Sequence, residues 1–245
     1  MSSDTRTFEI EGQTLGYPSF YRDGSSALGL FLVPAHSANA LIAQSGFRVA
    51  EFLPGRAAFT LTCVHYTDSD CGAYEEISLA LFVKAVGGSR RLPYLSNWWD
   101  LVRSQAPSHT WRLPVTSTLA RDAGIRMWGL PKTLEDIRFD LSGGRAGWAL
   151  HKDGREVLGY SVRARGSRYQ SPSPTPVYSL FEGAPHVSHL TQEFRDLGVR
   201  LGDGRLSLGD HPVADELRSL GLPKRPLLSA WMGRLAFEMS APEKL

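Results

Sequence analysis

The sequence predicts a single β-rich domain with a few short helices. Three observations carry that prediction: short apolar or alternating runs recur along the chain, turn-forming residues bound them, and helix signals are scarce. The first run is 27–33 (ALGLFLV), followed by 58–66 (AFTLTCVHY) and 74–83 (YEEISLALFV). Residues 134–141 (LEDIRFDL) alternate with period two. Residues 145–162 (RAGWALHKDGREVLGYSV) then divide into two strands around Lys152-Asp153-Gly154, a hairpin signal. Residues 156–163 form the second arm.

Helix signals follow the same order. Residues 37–46 begin with a capping serine and stop at Gly46, 117–124 offer one or two turns, and 210–221 open with Asp and Pro and close on Gly221. The C-terminal stretch 227–239 (LLSAWMGRLAFEM) suits either a strand or a packed helix. Residues 167–178 (SRYQSPSPTPVY) are the one Pro/Ser-rich stretch. A linker between domains is one reading; a long surface or active-site loop inside one domain fits better, because the runs on either side look alike.

Composition limits the function. Of 245 residues, 42% are hydrophobic and 21% charged, an ordinary balance for a chain with a real core. The net charge is +2 with no basic block, so nothing electrostatic argues for nucleic acid or an anionic membrane. No apolar run approaches the roughly 20 residues of a membrane span. The stretch 1–12 (MSSDTRTFEIEG) lacks an apolar signal core, so a cytoplasmic location is expected. Cys63 and Cys71 form no C-x-x-C motif and are expected to be buried thiols rather than a metal or redox centre.

Amine chemistry has few candidates. The chain has 22 arginines and only five lysines: Lys84, Lys132, Lys152, Lys224 and Lys244. Lys132 follows Trp128-Gly129-Leu130-Pro131, an apolar and stiff approach. An amine attacks a carbonyl only when neutral, and desolvation disfavours an ammonium. On the tetrapeptide alone a surface lysine after a turn is clearly the better explanation of the residue. Lys152 sits in the hairpin turn, Lys244 in the tail, and Lys84 just before Gly87-Gly88. Lys224 repeats the GLPK tetrapeptide, but between two prolines in an expected loop.

Glu75 and Glu76 open an apolar strand. Successive strand residues face opposite sides, so one pocket receives only one of them. Glu75 shares its side with Ile77, Leu79 and Leu81, and Glu76 with Ser78, Ala80 and Phe82. His65, Asp68 and Asp70 are expected in a polar turn rather than a metal site. Asn97-Trp98-Trp99-Asp100 suits a lid or an interface patch. There is no G-x-S-x-G elbow and no Gly-rich phosphate loop.

The stretch MWGLPKTL (127–134) resembles the lysine motif of the acetoacetate decarboxylase superfamily. The upstream stretch FTLTCVHYTDSDCGAYEE (59–76) is similar to that family too, running from a Phe-led strand through a His and a polar turn to Tyr-x-Glu. The 56 residues from Glu76 to Lys132 match in order and spacing. The resemblance implies one α+β domain over 1–245, mostly antiparallel β, with a closed cone- or barrel-like sheet around a buried lysine and a few peripheral helices. It places Lys132 on the Schiff-base lysine and Glu76 on the pocket glutamate, with Glu75 as its rival. Trp128 and Leu130 would line or support the pocket, and Tyr74 and Thr60 would meet substrate. No metal or organic cofactor is implied. Homo-oligomers are common in the family, and Trp98-Trp99 or the C-terminal segment could supply an interface.

Three departures accompany the resemblance. The family's second lysine is Thr133 here, and the acidic residue of its Phe-Glu strand is Thr60. The arginine for the substrate carboxylate falls near Ala27 or in an expected loop, 22–26, where a gap could restore Arg22. In acetoacetate decarboxylase itself, the lysine is the standard instance of activation by desolvation or by a cationic neighbour. Thr133 removes the neighbour, which leaves burial. The missing arginine weakens the clamp on a β-keto acid. The expected activity is therefore that of a Schiff-base lyase on a small keto acid, tilted toward aldol condensation and dehydration between a pyruvate-like donor and an aldehyde. The alternatives are decarboxylation of a β-keto acid through the same lysine, and a catalytically silent binding protein that kept the pocket.

Overall fold

The computed structural model describes residues 6–86 and 94–245. Residues 1–5, part of the stretch read for leader character, and Gly87-Gly88 lie outside the described residues. The strands, in chain order, are β1 (Thr7–Ile10), β2 (Gln13–Gly16), β3 (Ser19–Pro34), β4 (Glu51–Leu53), β5 (Arg56–Ser69), β6 (Tyr74–Phe82), β7 (Ser108–Val115), β8 (Lys132–Leu134), β9 (Asp136–Ser142), β10 (Arg145–Lys152), β11 (Arg155–Arg163), β12 (Arg168–Phe181), β13 (Ala184–Arg200), β14 (Arg205–Leu208), β15 (Leu228–Met239) and β16 (Glu243–Lys244). Among the described residues four helices punctuate them: α1 (Ala35–Leu41), α2 (Leu95–Val102), α3 (Thr118–Trp128) and α4 (Pro212–Ser219).

The main sheet runs β12-β13-β15-β3-β5-β6-β7-β8. Its pairs are antiparallel except at β7, whose far edge takes two parallel partners in succession. β12 pairs with its start, at Ser108 and His109, so the strand order returns on itself as a seven-strand ring. β8 pairs with its end, at Leu113 to Val115. A four-stranded sheet, β14-β11-β10-β9, packs against one face of the ring. That contact buries Phe31, Phe59, Leu79, Trp148 and Tyr160 together. A second apolar cluster takes residues from all seven ring strands and from α3, including Tyr21, Tyr66, Tyr74, Val115, Val177, Phe194, Leu235 and Trp128. Period-two alternation sorts neighbouring residues of β5 between these clusters: Phe59, Leu61 and Cys63 face the first, Val64 and Tyr66 the second.

Several expected elements are longer than the local signals. The 22–26 segment is no loop but the middle of the 16-residue β3. The polar stretch after 66 stays in β5 to Ser69, and the chain turns only at Gly72, with φ of 78°. The Pro/Ser-rich 167–178 stretch is not a loop: it is the body of β12, paired along its length with β13. Pro172, Pro174 and Pro176 occupy alternate positions, so their missing N–H groups all lie on one edge. The 117–124 signal grows into the 11-residue α3, whose N-cap, Ser117, accepts a hydrogen bond from the Ala120 N–H at 3.2 Å. Ser37 does not cap α1, which begins after Pro34, although the following 3₁₀ turn does stop at Gly46. His211 caps α4 instead of Asp210, through Nδ1. The C-terminal apolar stretch is a strand, β15. The 152–154 hairpin forms with Asp153 and Gly154 both at positive φ, the two-residue turn that matches strand twist.

Candidate active site

The route into Lys132 begins in α3. The helix stops at Gly129, which adopts the left-handed conformation (φ 64°). A side chain there would also collide with the Leu180 carbonyl, 2.1 Å from where a Cβ would stand. Two constraints thus select glycine at one position. The Leu130 N–H turns back to the Gly124 carbonyl at 3.0 Å, and the Lys132 N–H to that of Leu130 at 2.8 Å. The stretch WGLPK is therefore a helix end, a reversal and the start of β8.

β8 lies two strands from β6, across β7. Register puts Lys132 beside Leu113, and Glu76 opposite Val115. Two strand spacings of about 4.8 Å separate the two backbones, a gap that a lysine and a glutamate side chain bridge together. The ammonium of Lys132 stands 2.7 Å from Glu76 Oε2. Among the described residues these are the only buried Lys or Arg and the only buried Asp or Glu, at 6% and 9% exposure. Glu76 Oε1 accepts the hydroxyl of Tyr66 at 3.2 Å. The Lys132 nitrogen also lies 5.4 Å from the centre of the Tyr74 ring.

Three phenols gather around this pair. Tyr21 stacks on Phe237 at 4.1 Å between centroids and leans on Tyr66 at 5.1 Å; Tyr66 lies 4.6 Å from Tyr74. Burial, reinforced by the Glu76 carboxylate, pushes the hydroxyls of Tyr66 and Tyr74 well above the ordinary range, and burial does the same for Tyr21. All three remain protonated donors at neutral pH. The Tyr74 hydroxyl is buried with no well-formed hydrogen bond. The Tyr21 and Tyr66 hydroxyls are its near neighbours. Cys71 borders the group, its thiol pushed up to about 11 by burial, against the pull of Lys132.

Not every expected residue comes to this site. Glu75 faces away: its carboxylate takes His65 Nδ1 and the Trp148 indole N–H, the latter at 3.0 Å. Burial raises its pKa, with His65 and Trp148 working against the shift. Strand alternation thus separates the rivals, with Glu76 on the lysine. Trp128 and Leu130 are buried in the same cluster as the phenols; the Trp128 indole is held by the Ser240 carbonyl at 2.8 Å, a supporting position. Thr60 is not part of the group. It pairs with Ala80, four residues along β6 from Glu76, roughly 13 Å away. Thr133 is exposed on the opposite side of β8 from Lys132, so this position does not face the amine.

The arginine question also resolves. Ala27 is wholly buried in the other cluster, and Arg22 points outward, half exposed, onto Asp68 at 3.3 Å and Asp70 at 2.5 Å. Asp68 and Asp70 thus share Arg22, while His65 pairs with Glu75. Of the other lysines, Lys152 pairs with Glu135, Lys224 donates to the Leu32 carbonyl, and Lys84 and Lys244 are exposed. Trp98 is anchored through its indole to the Phe52 carbonyl at 2.8 Å, while Trp99 is exposed beside Arg103. Sequence reasoning missed Tyr21 and Tyr66. Tyr66 sits two residues from Val64 on the Glu76 side of β5, a signal that period-two reading alone could have used; Tyr21 carried none. A cleft of about 260 Å³ lies between β7–β8 and the smaller sheet, bordered by Trp111, Thr133, Leu150 and Val157, on the face of β7–β8 opposite the Lys132 amine.

Known proteins share this fold. The sequence profile of the family described as acetoacetate decarboxylase (ADC) matches residues 13–241. No curated protein sequence matches the chain. Among solved structures, the enduracididine biosynthesis enzyme MppR, complexed with pyruvate, is 17% identical with a TM-score of 0.65, over 96% of this chain and 93% of that one. The same enzyme complexed with the condensation product of pyruvate and imidazole 4-carboxaldehyde aligns over 99% and 97%, at 17% identity and a TM-score of 0.65. The acetoacetate decarboxylase of Legionella pneumophila is 13% identical, with a TM-score of 0.63 over 93% and 87%. At such identities these likenesses establish a shared fold.

Proposed function

Because this chain belongs to the acetoacetate decarboxylase family, we propose that it is a Schiff-base lyase in which Lys132 attacks the carbonyl of a small keto acid. The observation that carries the proposal is the buried Lys132–Glu76 pair, the single buried cation and single buried anion of the described chain, in contact. A buried ion pair is poor value as a stabilising device, since desolvation offsets most of the attraction. Its retention supports a chemical use.

The pair supplies both halves of an imine mechanism. Transfer of one proton from the ammonium to Glu76 Oε2 leaves a neutral amine beside a carboxylic acid. The amine attacks the keto carbon, and Glu76 returns the proton to the departing hydroxyl as water leaves. The resulting iminium is an electron sink. With a pyruvate-like donor, Glu76 then removes a proton from the adjacent methyl group and an enamine forms. The enamine carbon bonds to the carbonyl carbon of an aldehyde. Loss of water and hydrolysis of the iminium release an unsaturated keto acid and restore the amine. The buried Tyr74 hydroxyl would donate to a substrate oxygen. No buried arginine accompanies Lys132 among the described residues. That favours the aldol reading over decarboxylation, in which a clamped carboxylate must be aligned for cleavage.

The test is mass spectrometry after borohydride reduction, with pyruvate and acetoacetate supplied separately to wild type and Lys132→Ala. The expected result is a reduced adduct on Lys132 with pyruvate, and a coupled unsaturated acid when an aldehyde is added. Release of acetone and CO₂ from acetoacetate, without coupling, would establish decarboxylation instead. No adduct with any keto acid would point to a silent binding protein, and an adduct that persists in Lys132→Ala would overturn the assignment of the lysine.

A further inference from the structure

Away from Lys132, a cleft of about 570 Å³ lies where the ends of β11 and β13, the start of β14 and the 223–225 loop converge. Five cationic side chains border it, Arg163, Arg200, Arg205, Lys224 and Arg225, against one carboxylate, Asp203. That carboxylate is already committed: it takes Arg163 Nε at 3.0 Å and the Arg163 backbone N–H at 2.9 Å, with Arg145 at 3.8 Å. Arg200 donates to the Arg165 carbonyl at 2.6 Å and Lys224 to the Leu32 carbonyl, contacts that leave their charge uncompensated. Arg205 and Arg225 form no ion pair among the described residues, and both are exposed.

This concentration of charge is local. The whole chain carries only +2. Four uncompensated cations in one cleft therefore sit on a molecule whose remainder is slightly acidic, which rules out a generally basic surface as their origin. Like charges held together repel, and a concave wall of one sign focuses the field. The cost is relieved when an anion of matching charge enters. Guanidinium groups bind phosphate oxygens two at a time, and the volume falls in the range of small-molecule sites. Its one ring strand, β13, is three strands around the ring from β6, and the cleft shares no residue with the Lys132 site.

We propose that this cleft binds a small soluble polyanion, specifically the diphosphate group of a phosphorylated metabolite. Arg205 and Arg225 would grip it, with Arg200 and Lys224 supplying the remaining field. The site is independent of the Lys132 chemistry.

Calorimetric titration of the full chain with pyrophosphate, and separately with inorganic phosphate, tests the proposal. Pyrophosphate should bind at least about tenfold more tightly than phosphate, because more charge-assisted contacts form. Arg205→Gln/Arg225→Gln should weaken pyrophosphate binding by about tenfold or more while the melting temperature and adduct formation on Lys132 stay unchanged. Equal binding of the two anions, or pyrophosphate binding unaffected by the double substitution, would overturn it. So would capture by phosphatidylcholine vesicles doped with phosphatidic acid that pyrophosphate cannot compete away, since that would assign the cleft to a lipid surface.

Discussion

Gly124 offers a test of whether Lys132 must be held in place. It lies in α3, and the lysine stem runs directly past it. A Cβ added at Gly124 would stand 2.4 Å from Lys132 Cδ, 2.7 Å from Cε and 3.0 Å from Cγ. Ordinary carbon contacts begin near 3.4 Å, so the Cδ contact alone demands a displacement of about 1 Å. The helix is poorly placed to yield, because Ala120, Ala123, Met127 and Trp128 are all buried on it. The lysine stem must move instead, and its tip is held by Glu76 at 2.7 Å. A misplacement of about 1 Å can cost roughly 100-fold in rate. Gly124→Ala should therefore slow single-turnover trapping of pyruvate on Lys132, and kcat, by about that factor. The effect on stability should be small: overpacking costs roughly 1–3 kcal/mol, and alanine regains about 1 kcal/mol of helix propensity. Gly124 is a positioning residue, so KM for a substrate held by other groups should change far less than kcat. Rapid-quench borohydride trapping beside a thermal melt measures both quantities. A variant that traps pyruvate at the wild-type rate would refute the requirement for space at Gly124.

Other expectations are sharp enough to measure. Lys132→Met strands Glu76 as a buried carboxylate and should cost about 3–5 kcal/mol in urea unfolding; Lys132→Met/Glu76→Gln should recover most of it, and a single variant as stable as wild type would contradict the buried pairing. Burial holds the His109 imidazole below its ordinary value, against the opposing hydrogen bond to the Tyr178 carbonyl at 2.9 Å. The unfolded chain then takes up the proton first, so stability is complete above about pH 6.5 and declines as pH falls below it. An unfolding midpoint equally pH-dependent in His109→Gln would exclude His109 as the source. The Cys71 thiol, raised to about 11 by burial, should be roughly one part in a thousand thiolate at pH 8. Ellman's reagent should then leave the native protein unreacted and detect both cysteines only after unfolding; rapid native reaction would show that Cys71 is not enclosed.

Local sequence rules worked where the controlling forces are local. The Asp153-Gly154 turn is set by two residues that tolerate positive φ, and the expected hairpin formed around it. The division between Glu75 and Glu76 followed from period-two alternation, although only the packed sheet showed which side the lysine occupies. Where neighbours across the sheet outvoted local composition, the expectation fell short. Residues 167–178 carry three prolines, yet they form β12 because each missing N–H points to one edge while β13 pairs with the other. Residues 22–26 look like a loop, but β5 and β15 pair with them from both sides.

By itself the sequence determined the β-rich class, the main strand periodicities, the short menu of five lysines and the family motif around Lys132. These depend on side-chain alternation, turn chemistry and residue identity, all of which act over a few positions. Tertiary structure alone decided that Lys132 reaches Glu76 across 56 residues of chain, that Tyr21 and Tyr66 join them, and that Thr60 and Arg22 do not. Those outcomes rest on strand order and register: one residue of slip in β6 would turn Glu76 outward and bring Glu75 in, and no local pattern encodes which neighbour a strand will take.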